Sequence, residues 1–271
     1  VKIALLQMTS GIDPADNAAS LVTAIAAAAQ GGAAMLFTPE MSGLLDADGK
    51  RAAAHVVDEG ADPVLAAVRA AAAEHGIWVH LGSLALKAEG EERWLNRGFV
   101  VDAGGEIVAR YDKMHLFDVD LPTGESWRES ARYVPGAGPA VVDTPVGRVG
   151  LAVCYDLRFP ALFAAESAAG ATLLSLPAAF TVPTGQAHWH VLLRARAIEN
   201  AAFVVAAAQV GLHADGRRTF GHSLVVDPWG DVLLDMGDTP GLGFCDIDGA
   251  RVDDVRTRIP VIAHRRVVTP L

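Results

Sequence analysis

Three side chains stand out for their chemistry and for where they fall: Glu40 in "LFTPE", Lys113 in "RYDKMHLFD" and Cys154 in "GLAVCYDLRFP". Each follows a short apolar run, so each sits where a strand gives way to a loop. In α/β sheets ligands gather beyond the carboxyl ends of strands. A carboxylate, an ammonium and a thiol delivered by three strands can therefore meet, and together they make an acyl-transfer set. A free thiol, with a pKa of about 8.5, is only a few per cent ionised at neutral pH and needs a base or a cation to activate it. Glu40 can take the thiol proton, hand it to a departing amine and later deprotonate a hydrolytic water. Lys113, with the backbone N–H of Tyr155, can hold the oxyanion of a tetrahedral intermediate, where one donor is worth roughly 2.7–4 kcal/mol of barrier. A carboxylate beside a lysine also stays ionised, which keeps the base ready. Singly, each residue has an ordinary reading: the cysteine as a small core residue, the glutamate and lysine as solvated loop groups.

The elements that must position these groups are legible from periodicity. "KIALLQM" (2–8), "AAMLFTP" (33–39) and "IWVHLGSL" (77–84) are short apolar runs that predict buried strands, and the Ala-rich stretches 16–29 and 62–75 predict helices between them. Strand–helix–strand alternation implies βαβ units and a sheet covered by helices. Further helices are expected at 160–169 and 187–200, with strands at 147–154, 171–176, 202–208 and 242–247. "VVDAGGEIV" (100–108) and "VVDPWGDVL" (225–233) share one plan, two valines and an aspartate before a Gly-containing turn, and both predict hairpins. Their likeness hints that the two halves of the fold are built alike. The longest stretch without regular pattern is 117–139, and a loop of that length in a compact domain is usually functional or disordered. No linker divides the chain, so residues 1–271 are expected to form a single α/β domain.

Composition narrows the function. A hydrophobic fraction of 51% with 20% charged residues is that of a globular protein. The formal net charge of −10 disfavours nucleic acid or an anionic membrane as partner. Two cysteines, Cys154 and Cys245, form neither a disulfide framework nor a zinc pattern, and with an opening "VKIALLQM" that lacks signal-peptide features they point to a cytoplasmic protein. Cys245, in "LGFCDID", is expected to be an ordinary core residue. His188 and His190 diverge on a helix and carry little metal-binding signal. No glycine-rich phosphate loop is present.

The blocks "FTPEM", "YDKMHLFDVD" and "GLAVCYDLRFP" resemble the three signature motifs of the nitrilase, or carbon–nitrogen hydrolase, superfamily, in its order and at its usual separations. "AHWHVLLRARAIEN" (187–200), "FGHSLVVDPWGDV" (220–232) and "IPVIAHRR" (259–266) extend the likeness through nearly the whole chain. The resemblance implies a four-layer αββα sandwich. It implies Glu40 as base, Lys113 as oxyanion stabiliser and Cys154 as nucleophile, acting through a thioester with no cofactor and no metal. It further implies a second glutamate in an "ES" pair before Pro-Gly, here Glu129 rather than Glu125, placing Lys113 or the substrate amide. His115 and His222 fall in family blocks and are expected to be supporting hydrogen-bond partners. Pairing through helical faces implies a homodimer.

The finer motifs "VVAAAQ" and "RRTFGHSLVVDPWG" look most like the branch that hydrolyses deaminated glutathione to 2-oxoglutarate and cysteinylglycine, a metabolite-repair activity. The sister ω-amidase branch, acting on 2-oxoglutaramate and succinamate, is the nearest alternative. Nitrile or carbamoyl hydrolysis and a catalytically silent binding member are the others. A substrate carboxylate requires a cation, for which Arg158 is the candidate; its ordinary reading is an ion pair with Asp156 or Glu166. By the same resemblance Phe180 and Thr184 line the pocket. Arg132 and Tyr133 stand where relatives carry small polar residues and can reshape it. The tail "HRRVVTPL" departs from the family pattern after the paired arginines.

Overall fold

Side-chain caps and prolines start the helices of the first half. Asp13 accepts from the Ala15 N–H (2.9 Å) ahead of α1 (Pro14–Gln30). Asp48 accepts from the Lys50 and Arg51 N–H groups ahead of the short α2 (Gly49–Ala53). Asp62 accepts from the Leu65 N–H (2.8 Å) ahead of α3 (Pro63–His75). Such caps satisfy backbone donors that have no intrahelical partner, and Pro14 and Pro63 stand where a missing N–H costs nothing. The second half adds α4 (Pro160–Ala168), α5 (Val182–Asn200) and α6 (Ala250–Arg258). The computed structural model describes residues 1–121 and 124–268; residues 122–123 of the long loop and 269–271 of the tail lie outside the described residues.

The chain gives β1 (Lys2–Gln7), β2 (Met35–Phe37), β3 (Trp78–Lys87), β4 (Trp94–Val101) and β5 (Ile107–Asp112) in its first half. A small ribbon of β6 (Asp118–Asp120) and β7 (Ser126–Arg128) follows, then β8 (Ala140–Thr144), β9 (Gly147–Leu151), β10 (Leu173–Ser175) and β11 (Phe203–Ala206). A second ribbon, β12 (Val210–Leu212) and β13 (Arg218–Phe220), leads into β14 (Leu224–Val226), β15 (Val232–Asp235) and β16 (Gly241–Asp246). The two large sheets have the orders β16-β1-β2-β3-β4-β5 and β8-β9-β10-β11-β14-β15. Each is an antiparallel edge strand, three parallel strands and an antiparallel hairpin.

The two look-alike hairpins occupy equivalent edges. Their turns are fastened identically: Asp102 accepts from the Gly104 and Glu106 N–H groups, and Asp227 from those of Trp229 and Asp231. The halves are thus built alike, as the sequence hinted.

Period-two patterning stacks the layers. Ile3 and Leu5, Met35 and Phe37, and Val100 face the second sheet. Their neighbours Ala4, Leu6, Leu36, Phe99 and Val101 face Leu21 and Ile25 of α1 and Val64 and Val68 of α3. Phe163 of α4 and Trp189, Leu193 and Ala197 of α5 join the core of the second sheet. This is the expected αββα sandwich. Among the described residues no helix is long and apolar enough to cross a membrane.

Three local expectations need correction. The strand expected at 147–154 ends at Leu151, and Cys154 instead opens a 3-10 turn, Cys154–Arg158. The segment 117–139 holds the β6–β7 ribbon and a turn at Glu129–Ala131. The helix expected from 187 begins at Val182. The ribbon strands are three residues long, too short to show a period. Arg265 of the tail docks between α4 and α5, donating to the Ala164 carbonyl, Ser167 Oγ and Asn200 Oδ1.

Candidate active site

A cavity of about 500 Å³ opens beyond the carboxyl ends of the strands, and Glu40, Lys113, Glu129 and Cys154 all line it. Glu40 follows β2 in a loop held tightly against β3. Thr38 Oγ1 accepts from the Gly82 N–H (3.0 Å), and a Cβ at Gly82 would collide with the Thr38 and Pro39 carbonyls. Behind the loop, buried Gln209 donates to the Glu40 carbonyl (2.9 Å) and to Ser10 Oγ. The last residue of "VVAAAQ" therefore anchors the backbone of Glu40.

Lys113 follows β5 and is 2% exposed. Its Nζ donates to Glu40 Oε1 (2.9 Å) and to both carboxylate oxygens of Glu129 (2.8 and 3.0 Å). Burial alone would lower the lysine's pKa, but the charges of Glu129 and Glu40 override it and hold the ammonium well above its ordinary range. Glu129 also accepts from the Phe117 N–H (2.7 Å), which fixes its rotamer. The Glu125 carboxylate instead meets the Trp127 indole at 3.4 Å and, among the described residues, is not part of the cavity lining.

Asn96, near the start of β4, completes the cluster. Its Nδ2 donates to Glu40 Oε1 (2.9 Å) and Glu129 Oε1 (3.2 Å), while the Asn96 carbonyl accepts from the Lys113 N–H (2.9 Å). Glu40 Oε2 accepts from the Ala179 N–H (3.0 Å). Burial would raise the Glu40 pKa, yet the Lys113 charge and hydrogen bonds from Lys113, the Cys154 thiol and Asn96 hold it below the ordinary value. The carboxylate is ionised and ready to accept a proton.

Cys154 has a left-handed backbone, φ 51°, a region that non-glycine residues seldom adopt. The turn is pinned by Asp156, fully buried. Its carboxylate accepts from the Val153 N–H (2.8 Å), the Tyr111 hydroxyl (2.8 Å) and the His115 N–H (3.0 Å), and meets His115 Nδ1 at 2.7 Å. His115 in turn stacks on Phe159 with ring centroids 3.7 Å apart, which is the supporting role expected of it. Burial and then the Glu40 charge push the Cys154 thiol well above its ordinary pKa, with Lys113 opposing. At rest Cys154 is a neutral thiol beside the ionised Glu40 carboxylate.

Tyr155, Phe180, Thr184, Arg132 and Tyr133 also line the cavity. Arg158 does not. The 3-10 turn directs it toward α5, where its guanidinium lies 3.3 Å from His188 Nδ1 and over the rings of Tyr155 (6.0 Å) and Phe180 (5.7 Å). It pairs with neither Asp156 nor Glu166. The cations in the lining are instead Arg128, Arg132, Arg217 and Arg218, besides Lys113. Arg128 forks onto Asp120, Arg132 donates to the Ala47 carbonyl and Arg217 pairs with Asp215. Arg218, exposed, has no acidic partner among the described residues. The doublet "RR" at 217–218 and the lone asparagine in the apolar strand "WLNRGFVV" were the available signals for these unexpected contributors. His222 lies away from the cavity, against Asp235, and Cys245 is buried in β16.

The carbon-nitrogen hydrolase family model matches residues 2–257. The deaminated glutathione amidase of Yersinia enterocolitica is 42% identical over 271 residues, 99% of this chain and 94% of that protein. The solved NitFhit protein of Caenorhabditis elegans, a nitrilase and fragile histidine triad fusion, is 39% identical with a TM-score of 0.90; the likeness covers 98% of this chain but only 65% of that one. A mutant amidase from Nesterenkonia sp. AN1, solved with the acetamide moiety of fluoroacetamide added covalently at its active-site cysteine, is 31% identical with a TM-score of 0.82, covering 98% of this chain and 94% of that one.

Proposed function

The chain belongs to the carbon–nitrogen hydrolase family, and we propose that it is a cysteine-dependent amidase whose substrate is deaminated glutathione, cleaved to 2-oxoglutarate and cysteinylglycine. The observation that carries the mechanism is the convergence of the Glu40 and Glu129 carboxylates on Lys113 Nζ, each at 2.8–3.0 Å, in the cavity that Cys154 also lines.

Glu40 accepts the thiol proton as Cys154 Sγ attacks the amide carbon. Lys113 Nζ and the Tyr155 N–H receive the oxyanion. Collapse of the tetrahedral intermediate breaks the C–N bond, and Glu40 returns the proton to the leaving amine. Water, deprotonated by the same carboxylate, then attacks the thioester and releases the acid with the thiol restored. Glu129 keeps Lys113 charged and aimed. Because burial opposes a free thiolate, proton transfer is coupled to attack, and an ionised Glu40 is indispensable.

Relatives of that name supply the substrate, and the cavity suits it. Its volume lies in the range of about 300–1,000 Å³ that encloses drug-sized ligands. Both ends of deaminated glutathione carry carboxylates, and the arginines of the lining face that charge in a protein whose net charge is −10. Arg218, free of an acid, is the carboxylate anchor in place of Arg158, with Phe180, Thr184, Arg132 and Tyr133 shaping the pocket.

Residues 1–271 act as one hydrolase domain, and a homodimer is supported by exposed Val191 and Ile198 on α5 beside Trp229, Val232 and Leu233 of the β14–β15 hairpin. The two free cysteines fit a cytoplasmic setting. The deciding assay is product release from deaminated glutathione, 2-oxoglutaramate, a carbamoyl amino acid and a simple nitrile, with Cys154→Ala as control. Preferred turnover of deaminated glutathione, lost in the variant, is expected. Preference for 2-oxoglutaramate would move the protein to the ω-amidase branch.

A further inference from the structure

His190 on α5, His222 between β13 and β14, and Asp235 at the end of β15 converge on the surface. His190 Nε2 stands 2.9 Å from Asp235 Oδ2, and His222 Nδ1 stands 2.8 Å from Asp235 Oδ1. The three donor atoms all lie within 4.8 Å of one another. Their side chains keep 27–37% of their surface exposed, so solvent and ions reach them.

His222 is held in place independently of its ring. Its backbone is left-handed, φ 56°. Its N–H donates to the Gly237 carbonyl (2.6 Å) and its carbonyl accepts from Trp189 Nε1 (2.8 Å). Phe220 stacks on the imidazole with centroids 4.5 Å apart. Asp235 Oδ1 accepts from the Gly237 N–H (2.9 Å) as well. Beyond Asp235, neither ring has a polar partner among the described residues.

The geometry points to a zinc-type divalent metal site built from His190 Nε2, His222 Nδ1 and Asp235. Two imidazoles and a carboxylate are an established donor set for zinc, with solvent in the remaining position. Donor atoms about 2.0–2.1 Å from one ion stand roughly 3.0 Å apart at right angles and roughly 3.4 Å apart at the tetrahedral angle. The N–O separations here need to open by only a few tenths of an ångström. On binding, each imidazole presents the lone pair of the nitrogen that now faces Asp235 and carries its proton on the other. The ion replaces two hydrogen bonds with three coordinate bonds, and no other reactant is consumed.

The position gives such an ion a structural consequence. α5 begins directly after Thr181, which pairs with Thr219, and the Phe220 N–H donates to the Phe180 carbonyl (2.9 Å). A metal joining α5 to the β13–β15 segment therefore braces the wall that carries Phe180, Thr184, Arg218 and Thr219. The site is separate from the Glu40–Lys113–Cys154 cluster and does not rest on the substrate assigned above.

The test is calorimetric titration of Zn²⁺ into Cys154→Ala protein, which removes the cavity thiol that zinc would otherwise seek. One ion per chain is expected, with affinity falling at least tenfold in His190→Gln and in His222→Asn. Zinc should raise the melting temperature of the parent and leave both variants unmoved. Gln keeps a donor for Asp235, and Asn tolerates the left-handed backbone, so both variants retain the metal-free fold. Absence of saturable zinc uptake by the parent, or uptake that survives both substitutions, overturns the site.

Discussion

Replacing Asn96 tests whether the charged cluster is organised from β4 as well as by its own ions. Asn96→Leu removes two hydrogen bonds to ionised carboxylates, worth about 1.5–3 kcal/mol each. It also removes the buried Oδ1, which finds no partner among the described residues and whose burial costs about 1–3 kcal/mol. The balance is a net destabilisation of about 2–3 kcal/mol, or a melting temperature lower by roughly 5–10 °C. Activity responds in a distinct way. Asn96 is one of the donors that hold Glu40 below its ordinary pKa, so its loss raises that pKa and moves the acid limb of the kcat/KM profile to higher pH. Asn96→Asp sets a third carboxylate against Glu40 and Glu129, and should lose far more activity at neutral pH than the leucine variant. Thermal melts and pH–rate profiles of the two variants check this. An unmoved acid limb in Asn96→Leu, or an aspartate variant as active as the leucine one, would refute the reasoning.

Arg218→Met should raise KM for deaminated glutathione by tenfold or more while kcat changes little; an unchanged KM would return the anchor to another arginine. Gly82→Ala drives a methyl into the Thr38 and Pro39 carbonyls; overpacking of about 1–3 kcal/mol is expected, with kcat falling because the displaced loop carries Glu40, and wild-type kinetics would show that the loop position is not critical. Glu166 is fully buried, neither carboxyl oxygen has a hydrogen-bond partner among the described residues, and burial together with the Asp156 charge raises its pKa well above the ordinary range. The folded chain then retains a proton that the unfolded chain releases, so stability falls as pH rises from the ordinary carboxyl pKa toward the raised one. Glu166→Gln abolishes that loss, and its melting temperature should gain on wild type steadily from about pH 5 upward; a difference that stays flat with pH would exclude a protonated Glu166.

Local chemistry explains what was legible from residues alone. Apolar alternation, cap residues and Asp-led turns are set by neighbours within a few positions, so strands, helices and both hairpins could be read from short windows. The placement of Glu40, Lys113 and Cys154 at strand ends belongs to the same class. Their roles rested on motif blocks, and the structure brings the three residues to one cavity. The course of Arg158 toward α5 has a local cause of another kind: a left-handed residue at Cys154 turns the following segment, and no pattern in "CYDLRFP" announces it.

What the sequence by itself determined is therefore the longer strands and helices of the two halves, their order, and the residue types offered at their ends. The tertiary structure decided who meets whom. Asn96 reaches Glu40 because β4 lies beside β3 in the sheet, 56 residues away along the chain. Arg218 reaches the cavity because the β12–β13 ribbon folds over it, and His190 finds His222 because α5 packs across the second sheet. Local propensity acts over a few bonds, whereas these meetings depend on sheet order, register and the rotamers that packing leaves open.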